Sequence, residues 1–207
     1  MLELRIDSVA EPLASDVRAA WAAAHLVARA QYVGALPSLP AGQELGRPLL
    51  EVVLSGLAAQ GVARDACLAL RSARTGEEFR LLLEAANDQL EQSPVPAGTW
   101  PVLCRALGEE LLAGLVDVSA ASLRRYSQGA RTTPQLVAQR LHFLALLVAD
   151  LSGAYNDYGV RRWFARQRQQ LGGLAPYELL AHGFDADGKP AQRVRELVDS
   201  LSAAGAA

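Results

Sequence analysis

Cysteine and long uncharged apolar runs are scarce in this chain. Cys67 and Cys104 are the two cysteines among 207 residues, too few for a disulfide framework or a zinc finger. No stretch of about 18 apolar residues is free of charge, which argues against a membrane-spanning helix. The N-terminal stretch is acidic and has no long apolar run, unlike a signal peptide. These absences predict a globular, cytoplasmic protein without membrane contact.

The residues that build common catalytic and cofactor sites are scarce as well. The three histidines, His25, His142 and His182, lie far apart and never occur at H-x-H or H-x-x-x-H spacing, so they indicate no metal site. The chain contains no P-loop, no G-x-G-x-x-G and no G-x-S-x-G motif. We therefore expect no catalytic residue, no metal and no cofactor, and the sequence predicts a protein that is not an enzyme.

The amino-acid composition favours helices. Apolar residues make up 51% and charged residues 20% of the chain, which excludes a disordered protein. Alanine, leucine and arginine dominate, and all three are strong helix formers, whereas β-branched residues seldom alternate at period two. We predict an all-α fold with a helical N-terminal region, a helix-turn-helix in the middle and a small helical C-terminal module. The one exception is residues 2–6, whose alternation indicates either a short strand or an ordered arm.

Local signals place most of the helices. A helix is predicted to begin at Ser15, as its N-cap, and to end before Pro37 and Pro40. Arg47-Pro48 suits the first turn of a second helix, and Thr75 and Glu78 have the spacing of a capping box, which predicts a helix over 76–92. Further helices are predicted over about 63–72, 100–115, 119–127, 134–153, 160–170, 176–183 and 190–202. The tryptophans are expected at contacts between helices: Trp21, Trp100 and Trp163.

Charge is distributed unevenly, and the balance changes sign near a proline-rich stretch. Residues 1–98 hold 8 Arg and 12 acidic residues, residues 99–168 hold 9 Arg and 5 acidic residues, and residues 169–207 hold 3 basic and 5 acidic residues. The stretch SPVPAG at 93–98 separates the first two regions and is either a domain linker or a plain interhelical loop. We predict a boundary there and three regions: 1–95, a helical region of unknown role; 99–153, the helix-turn-helix; and 154–207, the C-terminal module.

Residues Leu111–Thr133 have the pattern of a helix-turn-helix. Ala113 is small where a second helix would cross, Ser119 suits an N-cap, and Asp117 stands where the turn more often has glycine. Asp tolerates left-handed backbone, but its charge lies near the proposed DNA face. The polar outer face of the second helix suits a major groove, although such a face is more commonly only solvated. The predicted DNA-binding residues are Ser119, Ser122, Arg124, Arg125, Gln128 and Arg131.

A glycine pair and a proline dominate the C-terminal region. Gly172 and Gly173 would take positive φ and stop one helix, and Pro176 would fix the first turn of the next. Leu179 and Leu180 would bury against Trp163. The alternative is an ordinary Gly-Pro helix corner, which is common in all-α proteins.

Both segments resemble one family. VDVSAASLRRYSQGARTTPQLVAQRL resembles the Xre-like helix-turn-helix of the MbcA/ParS/Xre antitoxins, and WFARQRQQLGGLAPYELLAHG resembles their toxin-binding module. The resemblance covers about residues 102–207. It implies an antitoxin of a type II toxin-antitoxin system that forms a homodimer, binds operator DNA and neutralises a RES-like or ADP-ribosyltransferase-like toxin. The implied toxin-binding residues are Trp163, Gly172, Gly173, Pro176, Tyr177 and Leu180.

The toxin-binding hypothesis carries a structural expectation and has a rival. With its partner missing, the final helix should leave part of its surface exposed and apolar. The rival hypothesis is a helical interaction or regulatory protein that has kept the fold without specific DNA binding. The acidic region 1–98 and the carboxylate of Asp117 favour that rival.

Overall fold

The computed structural model describes residues 5–36, 39–40 and 42–205, with side chains described as far as residue 201. In these residues eleven α-helices, one 3-10 turn and two short strands form the fold, and the predicted all-α class is confirmed. In chain order the elements are β1 (Ile6–Val9), α1 (Val17–Tyr32), β2 (Gln43–Leu45), α2 (Arg47–Ala59), α3 (Arg64–Ala69), α4 (Gly76–Glu91), α5 (Pro96–Leu107), α6 (Glu109–Val116), α7 (Ala120–Ser127), α8 (Gln135–Ser152), α9 (Asp157–Ala165), the 3-10 turn (Gln169–Leu171), α10 (Pro176–Leu180) and α11 (Lys189–Gly205).

The chain divides into two compact units. The N-terminal unit comprises the described residues of 1–31 and 35–93, and the C-terminal unit those of 32–34 and 94–207. The division after residue 93 falls at the start of the stretch 93–98 that the sequence suggested as a linker. That stretch is shorter than expected as a connection, because α5 already begins at Pro96.

A two-stranded parallel sheet opens the N-terminal unit. Ile6 is opposite Gln43 and Val9 is opposite Leu45. The sequence predicted a strand at 2–6, but the strand lies at Ile6–Val9 and residues 1–4 are outside the described residues. The pairing strand β2 was not predicted, because only three residues form it and they carry no alternating pattern.

Capping side chains set where two helices of the N-terminal unit begin. Thr75 accepts from the Glu78 backbone N–H while the Glu78 carboxylate accepts from the Thr75 backbone N–H, so the predicted capping box is confirmed. The predicted cap at Ser15 is wrong: Asp16 Oδ1 accepts from the backbone N–H groups of Arg18 and Ala19, both at 3.0 Å. A carboxylate is favoured there by the helix dipole.

The tryptophan of α1 differs from the other two in its burial. Trp21 is 51% exposed and stacks on His25 of the same helix at a centroid distance of 4.6 Å, whereas the other two tryptophans are buried. The core of α1 consists of smaller residues, including Ala23 and Leu26, which are fully buried. The helix ends at Tyr32, before Pro40; Pro37 lies outside the described residues.

The long helix α8 forms the centre of the C-terminal unit. It contacts α5, α6, α9 and α11, and nearly every residue from 141 to 151 is buried. Around it Trp100 of α5 and Trp163 of α9 are buried, as the sequence predicted for these two tryptophans. Helix α9 ends at Ala165 and not near 170, where the 3-10 turn takes its place.

One arginine of α8 joins three parts of this unit. Arg140 Nε donates to the backbone oxygen of Phe184 at 2.7 Å, and its Nη1 donates to that of Val116 at 3.3 Å. Val116 ends α6 and Phe184 precedes α11, so the regions 99–153 and 154–207 share this contact. Both regions lie in the same compact unit.

Apart from the masked positions 1–4, 37–38, 41 and 206–207, the chain contains no single helix that is long and apolar enough to cross a membrane. Only α8 and α9 taken together have that length and composition, and they are bent by 116°.

Candidate functional site

Helices α6 and α7 and the turn between them lie where the helix-turn-helix pattern predicted two helices. Asp117 ends α6 in the left-handed region with φ 59, which agrees with the tolerance expected of an aspartate there. The Val118 N–H donates to the Ala113 oxygen at 3.0 Å and closes the turn. Ser119 Oγ then accepts from the Ser122 N–H at 3.2 Å, so Ser119 is the N-cap of α7 as predicted.

The inner face of α7 is anchored by aromatic residues. Leu123 is fully buried, and Tyr126 stacks on Trp100 of α5 with ring centroids 5.7 Å apart. Trp100 Nε1 donates to Thr133 Oγ1 at 2.9 Å, which holds the loop before α8. These contacts fix α7 to the rest of the unit, so that its outer face is presented on a rigid support.

The outer face of α7 presents basic and polar side chains to solvent. Arg124, Arg125 and Gln128 are exposed, and their spacing puts them on one side of the helix. Arg131 is also exposed, with its guanidinium carbon 5.6 Å from the ring centroid of Tyr126. With Ser119, the exposed N-cap, five of the six predicted DNA-binding residues therefore lie exposed on or beside α7.

The two serines of the predicted set have structural tasks. Ser119 caps α7, and its hydroxyl also donates to Ser122 Oγ at 3.1 Å. Ser122 is half-buried. A phosphate could approach the exposed N-terminal turn of α7, where backbone N–H groups favour anions.

Two carboxylates lie close to the basic face. Glu109, the first residue of α6, accepts from Arg124 Nε at 3.2 Å; the sequence gave no signal for this pair, whose members are 15 positions apart. The second carboxylate, Asp117, lies beside Gly183, and so does Arg140. A methyl group added at Gly183 would be 3.0 Å from Asp117 Oδ2 and 3.1 Å from an Arg140 nitrogen.

The C-terminal corner, residues 163–180, is built around the buried Trp163. Its ring meets Phe164 edge-on at 5.3 Å, and the Arg168 guanidinium lies 5.4 Å from its centroid. Gly172 and Gly173 have φ 74 and 85, as predicted, because only glycine takes this conformation twice in succession without strain.

Helix α10 follows this glycine pair. Pro176 is in its first turn, and the Glu178 carboxylate accepts from the Ala175 N–H at 2.6 Å. Tyr177 packs against Gly114 of α6. A methyl group in place of the Gly114 hydrogen would lie only 2.5 Å from the Tyr177 hydroxyl oxygen. A cavity of about 530 Å³ between α6, α9 and α10 is lined in part by Leu111, Gln167 and Tyr177.

The six predicted toxin-binding residues fall into two groups. Trp163, Pro176 and Leu180 are buried and Tyr177 is half-buried, whereas Gly172 and Gly173 are exposed. The buried residues shape the corner, and a partner would touch the glycines and their neighbours. Leu174 is 41% exposed and was missed, because the sequence pattern assigned no role to the residue between the glycine pair and Pro176.

One of the two expectations for the last helix is wrong. The sequence pattern predicts that Val194, Leu197, Val198 and Leu201 face inward, and the first three are buried while Leu201 is half-buried. The further expectation, an exposed apolar surface left by a missing partner, is the one that fails. Between residues 189 and 201, no large apolar side chain is among the exposed ones. The apolar residues of α11 are used by packing on α8.

Nucleophiles and metal ligands do not gather in the described parts of the chain. Burial raises the pKa of the Cys104 thiol, and the negative charge of Glu109 raises it further; such a thiol stays protonated and unreactive at neutral pH. Within residues 5–36, 39–40 and 42–205, no group of three or more His, Cys, Asp or Glu side chains could hold a metal ion. No family model matches the chain, and neither a curated protein nor a solved structure matches it.

Proposed function

We propose that this protein is a DNA-binding antitoxin of a type II toxin-antitoxin system. The observation that carries the proposal is the rigidly supported outer face of α7, where Arg124, Arg125 and Gln128 are exposed together. Arginine and glutamine are the side chains that read guanine and adenine in the major groove. The region 99–168, with 9 Arg against 5 acidic residues, supplies positive charge for phosphates.

The remaining parts of the proposal rest on the resemblance. The protein would act in the cytoplasm. It would bind the operator as a homodimer, because the two-fold symmetry of a dimer matches two half-sites of DNA. The toxin would be a RES-like or ADP-ribosyltransferase-like enzyme, and it would contact the exposed part of the C-terminal corner around Gly172, Gly173 and Leu174.

Replacing Arg124 and Arg125 together by alanine should weaken DNA binding about 10-fold to 100-fold at low salt. It should also reduce the slope of the logarithm of the affinity against the logarithm of the salt concentration by about 1 to 2. The reason is the loss of two cations from the face that meets the duplex. Gel shift with a duplex from upstream of the protein's own gene, repeated over a range of salt concentrations, measures both quantities.

The matched control replaces Arg64 and Arg71, two exposed arginines of the N-terminal unit, and changes the net charge equally. Binding by the control should stay close to that of the parent. If the parent does not retard its upstream DNA in low salt, the repressor hypothesis fails and the rival gains. That rival, a helical interaction protein, is favoured by one observation: Glu109 already engages Arg124 on the proposed DNA face.

Replacing Leu174 by aspartate should weaken toxin binding at least about tenfold, because a carboxylate would be buried without a partner at the corner. The toxin used is the product of the adjacent gene, and the measurements are growth rescue on co-expression and the affinity of the purified pair. Leu68→Asp is the matched control, since Leu68 is 66% exposed in the N-terminal unit. Full rescue by Leu174→Asp would place the toxin contact elsewhere.

A further inference from the structure

The ion pair between Glu109 and Arg124 joins the start of α6 to the last turn of α7. Arg124 Nε donates to Glu109 Oε2 at 3.2 Å, and the two side chains are 65% and 52% exposed. An exposed pair of this kind adds little to stability. Its location is the informative feature, because it lies on the face of α7 that also bears Arg125 and Gln128.

The geometry of the pair leaves one edge of the guanidinium available. Arginine has five N–H donors in a fixed planar fork, and Glu109 uses the one on Nε. The structure gives the two terminal nitrogens of Arg124 no partner among the described residues. Two parallel N–H groups on that edge are what a guanine O6 and N7 accept.

A free arginine must be ordered before it can read a base. Holding a rotamer-rich side chain in one conformation costs entropy at the moment of binding, and fixing it beforehand reduces that cost. Glu109 is itself held at the first position of α6, where the helix dipole favours a carboxylate. The acidic side chain also repels phosphates, so it raises the selectivity of the face more than its affinity.

We infer that Glu109 is a positioning residue that orients Arg124 to read one guanine, which makes the two residues a specificity-determining pair. The inference rests on the proposed DNA-binding function and deepens it: Arg124 is assigned to a base, whereas the exposed Arg125 and Arg131 are left for phosphates. Glu109 is expected to act through Arg124 and not to touch the DNA.

The test begins with selection of duplexes from a random-sequence library by the full-length parent protein. Arg124→Ala then identifies the G·C pair at which discrimination against A·T is lost; the parent should discriminate there by about fivefold or more. Glu109→Ala should reduce this discrimination to below about twofold, while Glu109→Gln should retain most of it because its side-chain oxygen still accepts from Arg124 Nε.

Glu110→Ala is the matched control. Glu110 is exposed beside Glu109 in the same first turn of α6, so its loss changes the net charge and the helix dipole interaction equally. Both alanine variants should bind a random duplex somewhat more tightly than the parent, but only Glu109→Ala should lose the guanine preference. A merely structural role for Glu109 would not produce this difference.

The outcomes separate the inference from the function on which it rests. Selection that enriches a sequence, with Glu109→Ala discriminating as well as Glu110→Ala does, would overturn the positioning role and leave the DNA-binding proposal intact. If the parent enriches no sequence and binds no duplex in low salt, both the proposed function and the inference are wrong.

Discussion

Removing residues 184–207 is expected to unfold the C-terminal unit. The deletion takes away four large buried side chains, Phe184, Val194, Leu197 and Val198, and uncovers the face of α8 on which α11 packs. Burial of such side chains contributes about 1.5–3 kcal/mol each, so the loss is about 6–12 kcal/mol. A whole domain is typically stable by about 5–15 kcal/mol.

Circular dichroism during thermal unfolding checks this expectation, because the cooperative transition of the unit should be lost or shifted far down. Glu196→Ala, at an exposed position of α11, is the control and should leave the transition in place. A truncated chain with the parent's transition would show that the region 99–153 folds without α11. The proposed toxin contact is therefore better tested by point substitution than by deletion.

Trp163→Ala is expected to lower the free energy of unfolding by about 3–5 kcal/mol, because it opens a large cavity in the C-terminal unit. The same change at Trp21 should cost less than about 1 kcal/mol, since Trp21 is 51% exposed whereas Trp163 is 1% exposed. Denaturant titration followed by circular dichroism, with each variant compared with the parent, measures the difference. Equal losses at the two positions would contradict the burial of Trp163.

A third variant separates the volume of Trp163 from its polarity. The indole Nε1 of Trp163 is buried without a hydrogen-bond partner in the described structure, and an unsatisfied buried donor costs about 1–3 kcal/mol. Trp163→Phe removes that donor and keeps most of the ring, so it should cost much less than Trp163→Ala. A loss as large as that of the alanine variant would mean that the indole nitrogen has a partner.

The parts of the fold that local chemistry determines could be predicted from the sequence. The capping box of Thr75 and Glu78, the cap at Ser119 and the left-handed glycines at 172 and 173 each depend on residues within a few positions of one another. At the two caps the local side chain is enough to favour the observed conformation, and at the two glycines the absence of a side chain is enough.

The parts that failed depend on packing between distant segments. Helical periodicity shows which residues share a face, but it does not show which of two apolar faces is buried. Trp21 was expected at a contact between helices, but it is 51% exposed and the core of α1 is made of smaller residues. The inward face of α11 was predicted correctly from periodicity, but the exposed strip was expected only because of the toxin hypothesis; the buried face packs on α8, about 45 positions away, as in the Arg195–Asp150 contact.

The candidate site shows the same limit. Exposure of Arg124, Arg125 and Gln128 follows from the spacing of Leu123 and Tyr126, which the inner face requires. The pairing of Glu109 with Arg124 requires the angle at which α6 and α7 cross, and this angle is set by the turn at Asp117 and the packing of both helices on α5.

The hydrogen bonds of Arg140 have a consequence for how this chain can change during evolution. Because one side chain of α8 holds the last carbonyl of α6 and the carbonyl of Phe184, a recombination breakpoint near residue 153 would separate Arg140 from one of its two acceptors. A C-terminal corner acquired from another gene would have to place a backbone oxygen where Phe184 places its own, so that the retained Arg140 keeps both acceptors. Substitutions around the exposed Leu174 leave this contact intact, so we expect the surface of the corner to change by substitution more readily than by exchange of the whole module.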